Sequence, residues 1–379
     1  MLRYVIVILD RAAASFCHYR AERADGLMAV ADLRRLVDFA VRNRLALNCL
    51  LGQRPLPPEH ARVLEGAAHV KLVPCERSSA EPTAVAIVDG PDQAEVLEPL
   101  QGGAGAGSAA PSTPIRQGGA GAGSAAPSTP IRQGGAPGRN LILRLGRERL
   151  DELAATVETL WSRCRRLNLR LLDVDRYGDA ELNRIYPLQL ERVVELVRER
   201  YSSGDGVEVS FLSDRMLHTR MHNCNAGVEH VTFAPDGRFY ICPGFFYDDL
   251  GAVGDLERGI EIPNPQLLRL DHAPICSACD AYHCKRCVYL NRRTTGELNT
   301  PSRQQCVLAH IERNASARLL ASLRHIASFR AMPPLRVTGH LDPITRAARP
   351  RPKPSIRVRD GHRLVTLPPL EPVRPRRDL

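Results

Sequence analysis

Lysine, aromatic residues and long apolar runs are scarce in this chain of 379 residues. Only three of its 52 basic residues are lysine, and aromatic residues make up 5% of the sequence. No apolar run approaches the roughly 20 residues that cross a bilayer, so we expect no membrane-spanning segment. The first apolar run ends at Asp10, too early for a secretory signal, which needs about 7–15 apolar residues. The sequence therefore predicts a cytoplasmic protein.

The excess of positive charge is confined to the C-terminal end. The formal charge is +10, and residues 331–379 supply +7 of it, from 11 Lys or Arg against 4 Asp or Glu. The rest of the chain is close to neutral, at +3. Nucleic-acid-binding domains carry concentrated basic charge, so this distribution argues against nucleic acid as a partner. The Pro- and Arg-rich residues 329–379 are predicted to be a disordered tail.

Strands and helices alternate through the first 213 residues. Short apolar runs predict strands at 4–9, 45–51, 69–73, 84–88, 140–145, 168–174 and 207–212. Apolar residues at helical spacing predict helices near 28–43, 61–66, 150–164 and 190–197. This alternation is typical of an α/β fold with a parallel sheet. Repeated (βα) units of this kind form either a doubly wound sheet or an open, partial barrel-like body.

A perfect internal repeat interrupts the alternation. The sequence QGGAGAGSAAPSTPIR occupies residues 101–116 and recurs unchanged at 117–132. Gly, Ala, Ser and Pro without apolar periodicity cannot bury enough surface to offset the entropy of ordering. We therefore predict a flexible linker over 101–138 between two α/β halves, 1–100 and 139–213. A Cys-rich C-terminal domain is predicted at 214–328.

Seven of the eleven cysteines fall in that last domain. They are Cys224, Cys242, Cys276, Cys279, Cys284, Cys287 and Cys306. The segment PICSACDAYHCKRC contains two C-x-x-C pairs only four residues apart. In a reducing cytosol such clusters bind metal rather than form disulfides. Zinc sites usually separate their pairs by about 15–20 residues, whereas closely spaced cysteines are typical of iron–sulfur ligation.

The order of these cysteines resembles the SPASM domain of peptide-modifying radical S-adenosylmethionine enzymes. That domain has a Cys, a Gly separated by four residues from a second Cys, a four-cysteine stretch and one isolated Cys, and Cys224, Gly237 and Cys242 open the series here. The resemblance implies two auxiliary 4Fe–4S clusters. It assigns one cluster to Cys276, Cys279, Cys284 and Cys306, and the other to Cys224, Cys242 and Cys287. The last two gaps of the four-cysteine stretch are four and two residues, where the family usually has five and three.

A longer resemblance is to the CXXX repeat peptide maturases. It rests on the segments SFCHY, DRMLHTRMHNCNAG, APDGRFYICPGFFY, APICSACDAYHCKRCVYLNRRT and NTPSRQQCVLAHIERNAS. The family implies maturation of a small ribosomally made peptide that carries a Cys at every fourth residue. The clusters would then serve peptide engagement or electron transfer. The partners implied are the precursor peptide and a radical S-adenosylmethionine enzyme or an electron donor.

The three cysteines of a complete radical S-adenosylmethionine site are missing. Such enzymes space them three and then two residues apart in the loop after the first strand. Aligning that pattern on Cys17 places Asp10 and Ala14 where the other two thiols belong. One thiol cannot hold the cluster, so we predict a degenerate body without its own cluster, and we name no catalytic residue.

Structural zinc is the alternative interpretation of the cysteines. Seven cysteines and one histidine complete two four-coordinate sites, and His222, His272 and His283 flank the cysteines. The protein would then be a non-catalytic peptide-recognition module. The remaining cysteines Cys49, Cys75 and Cys164 are interpreted as buried small hydrophobes.

Overall fold

A computed structural model describes residues 2–13, 26–52, 55–67, 69–73, 85–90, 92–93, 140–221, 224–284, 286–337, 356–360 and 363–367. The repeat linker predicted at 101–138 lies outside these residues, as do Ala14, Cys17, Cys75 and His222. Within the described ranges there is no helix that is both long and apolar enough to cross a membrane.

The strands alternate with helices as far as residue 209 and then form short hairpins. They are β1 (Tyr4–Ile8), β2 (Ala46–Leu50), β3 (Val70–Val73), β4 (Val85–Val88), β5 (Asn140–Leu145), β6 (Arg166–Leu171), β7 (Glu208–Val209), β8 (His230–Phe233), β9 (Arg238–Tyr240), β10 (Gly254–Asp255), β11 (Gly259–Ile260), β12 (Ile356–Asp360) and β13 (Arg363–Leu367). The last two pair with each other in an antiparallel hairpin, inside the tail for which composition predicts disorder.

The longest helices are those that cover the sheets. The helices are α1 (Val30–Asn43), α2 (Pro58–Glu65), α3 (Leu153–Trp161), α4 (Tyr186–Ser202), α5 (Ser210–Leu217), α6 (Pro243–Tyr247), α7 (Val288–Thr295), α8 (Arg303–Ser322) and α9 (Ala327–Arg330). Short 3-10 turns occur at Arg147–Glu152, Val174–Arg176, Pro265–Leu268 and Cys276–Ala278, and a π-helical turn at Glu181–Ile185 leads into α4.

Two sheets form the body. One has the strand order β11-β10-β9-β8-β1-β2-β3 and the other the order β4-β5-β6-β7. Neighbours are parallel from β8 through β1 and β2 to β3, and throughout the second sheet. The predicted α/β class with parallel strands is confirmed.

The Cys-rich region continues the first sheet instead of standing apart from it. Strand β8 pairs in parallel with β1, with Tyr4 opposite His230 and Val7 opposite Phe233. All four side chains of β8 are buried, as expected for a strand with neighbours on both sides and covered faces. Pro235, Asp236 and Gly237 form the turn of a hairpin, because β8 and β9 pair in antiparallel fashion around them.

The strand predicted at 207–212 is wrong in its second half. Only Glu208 and Val209 pair with β6, and Ser210 begins α5. Phe211, Leu212 and Met216 are buried on α5, because the helix is enclosed by β6 and α8. A short apolar run buried on all sides has no periodicity that distinguishes strand from helix.

The described residues form two hydrophobic cores. One core joins β4–β7 with α3, α4, α5 and α8. The helix predicted near 150–164 is shorter in the structure, and it packs in this core: Leu153, Val157 and Leu160 of α3 are buried, as are Leu150 before it and Cys164 after it. The other core joins β1, β2, α1, β8, β9, α6 and the start of α7, and it includes Cys242, with Cys224 and Cys287 packed against it.

The close approach of β10 and β11 gives a stability prediction. Gly254 has φ of 138°, and a Cβ there would collide with the carbonyl oxygen of Gly259. Gly251 has φ of 95° but has open space around its Cβ position. We expect Gly251→Ala to cost roughly 1–3 kcal/mol, the strain of the backbone alone. Gly254→Ala should cost more, because the collision is added; urea denaturation of the two variants compares them. Equal losses would contradict the close approach of β10 and β11.

Candidate metal centre

The first group of thiols is carried by one loop and one helix. Cys276 begins a 3-10 turn closed by the Cys279 amide, which donates to the Cys276 carbonyl at 3.2 Å. The Ala281 amide donates to the Cys279 Sγ at 3.4 Å. The Cys284 amide then donates to the Ala281 carbonyl at 2.9 Å. These tight turns fold the three cysteines of the loop back toward one another.

Helix α8 supplies the fourth thiol of this group, Cys306. Its N-cap is Ser302, whose Oγ accepts from the Gln305 amide at 3.2 Å, so the first turn that holds Cys306 is fixed. One helical turn further on, His310 places its Nε2 3.5 Å from the Cys279 Sγ. Residues four apart lie on one face of a helix, so Cys306 and His310 both face the loop.

The other three thiols affect the ionisation of Cys284. Burial raises the pKa of Cys284 well above its usual value, and Cys276, Cys306 and Cys279, when ionised, raise it further. Burial also raises the pKa of Cys276 to about 11. Four thiols that disfavour one another's ionisation in a buried place form a site where a bound cation would be strongly stabilised.

Buried arginines supply positive charge around the same group. Burial raises the pKa of Cys279, and Arg313 and Arg215 oppose that rise. Arg313 is almost fully buried and pairs with Asp280 at 2.5 Å. Arg215 lies over the ring of Tyr282, 4.6 Å from its centre. Both guanidinium groups therefore favour the thiolate form that binds metal.

A carboxylate links this centre to the body of the protein. Glu312 accepts a hydrogen bond from the Tyr186 hydroxyl at 2.5 Å, and its second oxygen lies 3.0 Å from His283 Nε2. Because Tyr186 is on α4 and His283 precedes Cys284, the contact fixes the loop against α4. His283, a predicted alternative ligand, thus already pairs with Glu312. His272 lies on the surface.

The second group is assembled on the first sheet. The Cys287 Sγ accepts from the Leu290 amide at 3.4 Å at the start of α7. The Cys224 amide donates to the carbonyl of Arg286 at 3.5 Å. Cys242 follows β9 and occupies the N-cap position of α6. The three cysteines contact one hydrophobic core, and Cys224 and Cys287 both act on the Arg286 guanidinium.

Two further cysteines, Cys49 and Cys164, lie in the hydrophobic cores. Cys49 lies in the core of β2, where burial raises its pKa to about 12, and Cys164 donates to the Leu160 carbonyl at 3.3 Å. Both are thus buried core residues, as predicted. No three or more His, Cys, Asp or Glu of the described segments stand close enough to hold one metal ion. That distance requirement concerns ligands that share one ion. In an iron–sulfur cluster each thiolate binds a different iron atom.

A cavity lies at the carboxyl ends of β1 and β2, far along the chain from the cysteines. It measures about 340 Å³ and is lined by Leu9, Asp10, Gly26, Leu27, Leu51, Gly52 and Pro55–Pro57. Asp10 is buried beside it and accepts from the Ala12 amide at 3.0 Å. A side chain at Gly52 would collide with the Asp10 carboxylate, so the glycine makes room for it. Asp10 occupies one of the places where the resemblance requires a thiol.

Comparisons with known proteins identify the fold. No family model and no curated protein matches the sequence. A solved structure of native anSMEcpe with bound AdoMet and Cp18Cys peptide is 11% identical, with a TM-score of 0.52 over 86% of this chain and 99% of that one. A hexahistidine-tagged anSMEcpe with bound AdoMet is also 11% identical, with a TM-score of 0.51 over 84% and 98% of the two chains. At this level of identity the likeness establishes a common fold.

The raised pKa of Cys276 predicts how the metal-free protein responds to alkali. An unfolded thiol ionises near pH 8.5, whereas the folded Cys276 ionises at about 11. The stability that depends on the protonated thiol is therefore complete below about pH 8.5 and is lost as the pH rises toward 11. Urea midpoints of the metal-free protein should fall over this interval, and Cys276→Ser, which cannot ionise, should lose less. Parallel losses in the two proteins would contradict the burial of this thiol.

Proposed function

We propose that this protein takes part in the maturation of a small, ribosomally made peptide with repeated cysteines, and that its Cys-rich region holds iron–sulfur clusters. One observation carries the proposal. The ionised thiols of Cys276, Cys279 and Cys306 raise the pKa of Cys284, and these cysteines come from a loop and a helix separated by more than 20 residues in sequence. These are the four cysteines that the SPASM resemblance assigns to one 4Fe–4S cluster.

The residues of the first group fit such a cluster. Four thiols supply the four ligands that a 4Fe–4S cluster takes from protein. Arg313 and Arg215 favour ionisation of Cys279, and the amide of Ala281 donates to its sulfur. Hydrogen bonds and positive charge at the sulfurs stabilise thiolate ligands. Cys224, Cys242 and Cys287 would form the second group, leaving one corner for a ligand that is not a cysteine.

The chain's own residues have structural and electrostatic roles in this proposal. When bound, the clusters supply one-electron transfer. The loop 276–287 orients the thiolates through its turns. Glu312 fixes the loop to the body through Tyr186 and His283. Electrons would enter from a donor protein or from a radical S-adenosylmethionine partner enzyme.

The peptide substrate is supported by the fold and by the resemblance of the sequence segments. The anSMEcpe structure with the same fold holds a peptide named Cp18Cys together with AdoMet. For this chain we propose a precursor peptide with a Cys at every fourth residue as the partner, in a cytoplasmic setting. We also propose that the α/β body of the protein is a partial barrel.

The proposal assigns no cluster to the N-terminal loop of this chain. Asp10 stands where a ligand thiol would be needed, and its carboxylate is buried and hydrogen-bonded to the Ala12 amide. The Asp10 carboxylate thus occupies the place of that ligand thiol and is hydrogen-bonded within its own loop. The protein would therefore present the peptide to a partner enzyme.

Structural zinc is a second candidate, for which His310 would add a nitrogen ligand; the ligands would have to move closer together, because no three of the described residues stand close enough to hold one ion. An imidazole 3.5 Å from the Cys279 sulfur offers the mixed nitrogen and sulfur ligands that zinc uses. The protein would then be a non-catalytic module that recognises the peptide. A colourless preparation with zinc and without sulfide would support it.

Metal analysis of the anaerobically purified protein tests the leading proposal. We expect brown protein whose iron is matched by acid-labile sulfide. Cys284→Ser should lose about half of the iron, because its thiol is the centre of the first group. Cys164→Ser, which changes a buried thiol outside both groups, serves as the matched control and should keep all of it. Equal iron in the two variants would contradict the assignment.

Electron paramagnetic resonance (EPR) of the reduced protein tests whether the chain has its own radical chemistry. Because Asp10 replaces a needed thiol, we expect S-adenosylmethionine to leave the spectrum unchanged. A cysteine-repeat peptide should instead bind the protein, which fluorescence anisotropy of the labelled peptide measures. The control is a peptide of the same sequence in which Ser replaces each Cys. A cluster signal that shifts on addition of S-adenosylmethionine would overturn this part of the proposal.

A further inference from the structure

Arg286 is one of the most deeply buried cations of the Cys-rich region. It lies between Cys284 and Cys287 in sequence, and only 1% of it is exposed. One of its terminal nitrogens donates to the Leu268 carbonyl at 2.7 Å. The other donates to the carbonyls of Leu267 and Leu298, at 2.9 and 3.1 Å. Three backbone acceptors thus hold the guanidinium in one orientation.

One donor of this guanidinium is left over. The Nε of Arg286 is buried and has no hydrogen-bond partner within the described part of the chain. A buried N–H without an acceptor is unfavourable, so such groups in folded proteins normally have a function or a partner from outside the chain. None of the described residues supplies that acceptor.

The thiols that surround Arg286 come from both cysteine groups. Arg286 stands in the sequence between Cys284 of the first group and Cys287 of the second. Its backbone carbonyl accepts from the amide of Cys224, also of the second group, at 3.5 Å. It therefore lies beside cysteines of both groups.

Another buried arginine lies beside the first group. Arg215 influences Cys279, and Cys279 is among the groups that act on Arg215. Arg215 is 7% exposed, and its Nε has no hydrogen-bond partner within the described residues. It is thus a comparison for Arg286: a buried guanidinium with a spare donor beside a thiol of the first group.

We propose that Arg286 is a positioning residue that holds one fixed positive charge between the two cysteine groups and raises the reduction potential of a cluster bound at each. The inference rests on the proposed function, because it requires clusters at both groups. Its unpaired Nε–H is the donor that a cluster sulfur would accept. Cluster potentials respond to nearby charge and to hydrogen bonds at sulfur, so a single side chain can set both.

The direction of the effect follows from charge. Reduction adds one electron to a site that already carries negative thiolates. A buried cation stabilises the reduced state more than the oxidised state, and the low dielectric of the interior strengthens that difference. Because Arg286 lies near both groups, it also offsets the repulsion between two reduced clusters. Its loss should therefore make both clusters harder to reduce.

Potentiometric titration followed by EPR tests the proposal. The signals of the two clusters are first assigned with Cys306→Ser and Cys242→Ser. In Arg286→Gln we expect the reduction equilibrium of each cluster to shift about tenfold toward the oxidised form, which is about 59 mV for a one-electron couple. Arg215→Gln should shift the first cluster alone. An Arg286→Gln variant with two unchanged potentials, or with only one changed, would overturn the proposal.

Iron and sulfide analysis separates this inference from the proposed function. If the wild-type protein binds no cluster, the proposed function fails before any potential is measured. If both proteins bind clusters and the potentials agree, only the role of Arg286 fails. Arg286→Lys keeps the charge without the fork of donors, so it should retain most of the wild-type potentials.

A measurement on the wild-type protein covers the case in which Arg286→Gln does not fold. Protein labelled with 15N-arginine is reduced and studied by pulsed EPR. The second cluster should show a 15N coupling, since Arg286 lies beside Cys224 and Cys287. Absence of that coupling would overturn the proposal, and its presence would support it.

Discussion

The structure depends on the cost of gathering ionisable thiols away from water. Cys276 and Cys306 are buried and Cys279 and Cys284 are half-buried, and the ionised thiols of Cys276, Cys279 and Cys306 oppose the ionisation of Cys284. Uncompensated charge of this kind is strongly unfavourable in a protein interior. Buried guanidinium groups near Cys279 offset part of the cost. In the proposed function bound metal would offset the rest, and it would then couple folding of this region to metal binding.

The fold delivers these thiols from separate parts of the architecture. Strand β8 extends the N-terminal sheet and leads to Cys242, whereas α8 packs into the other core and carries Cys306. The loop 276–287 bridges the two cores. Glu312 ties that loop to α4. A change in the packing of either core would therefore alter the spacing of the thiols.

Local patterns in the sequence predict much of this arrangement. Apolar spacing predicts the strands of the parallel sheets and the helix α3, and the resemblance to the SPASM domain implies which thiols belong to the first group. His310 could have been found, because it follows Cys306 by one helical turn. The pairing of β8 with β1 could not, since contacts between distant segments leave no local pattern. Arg286 and Arg313 were missed because arginine is almost always exposed unless it is paired.

Diffraction at the iron edge from anaerobically grown crystals tests the central claim most directly. The account predicts an anomalous peak bounded by the sulfurs of Cys276, Cys279, Cys284 and Cys306, with a second peak near Cys224, Cys242 and Cys287. A peak that appears only at the zinc edge, or an iron peak away from these thiols, would contradict it.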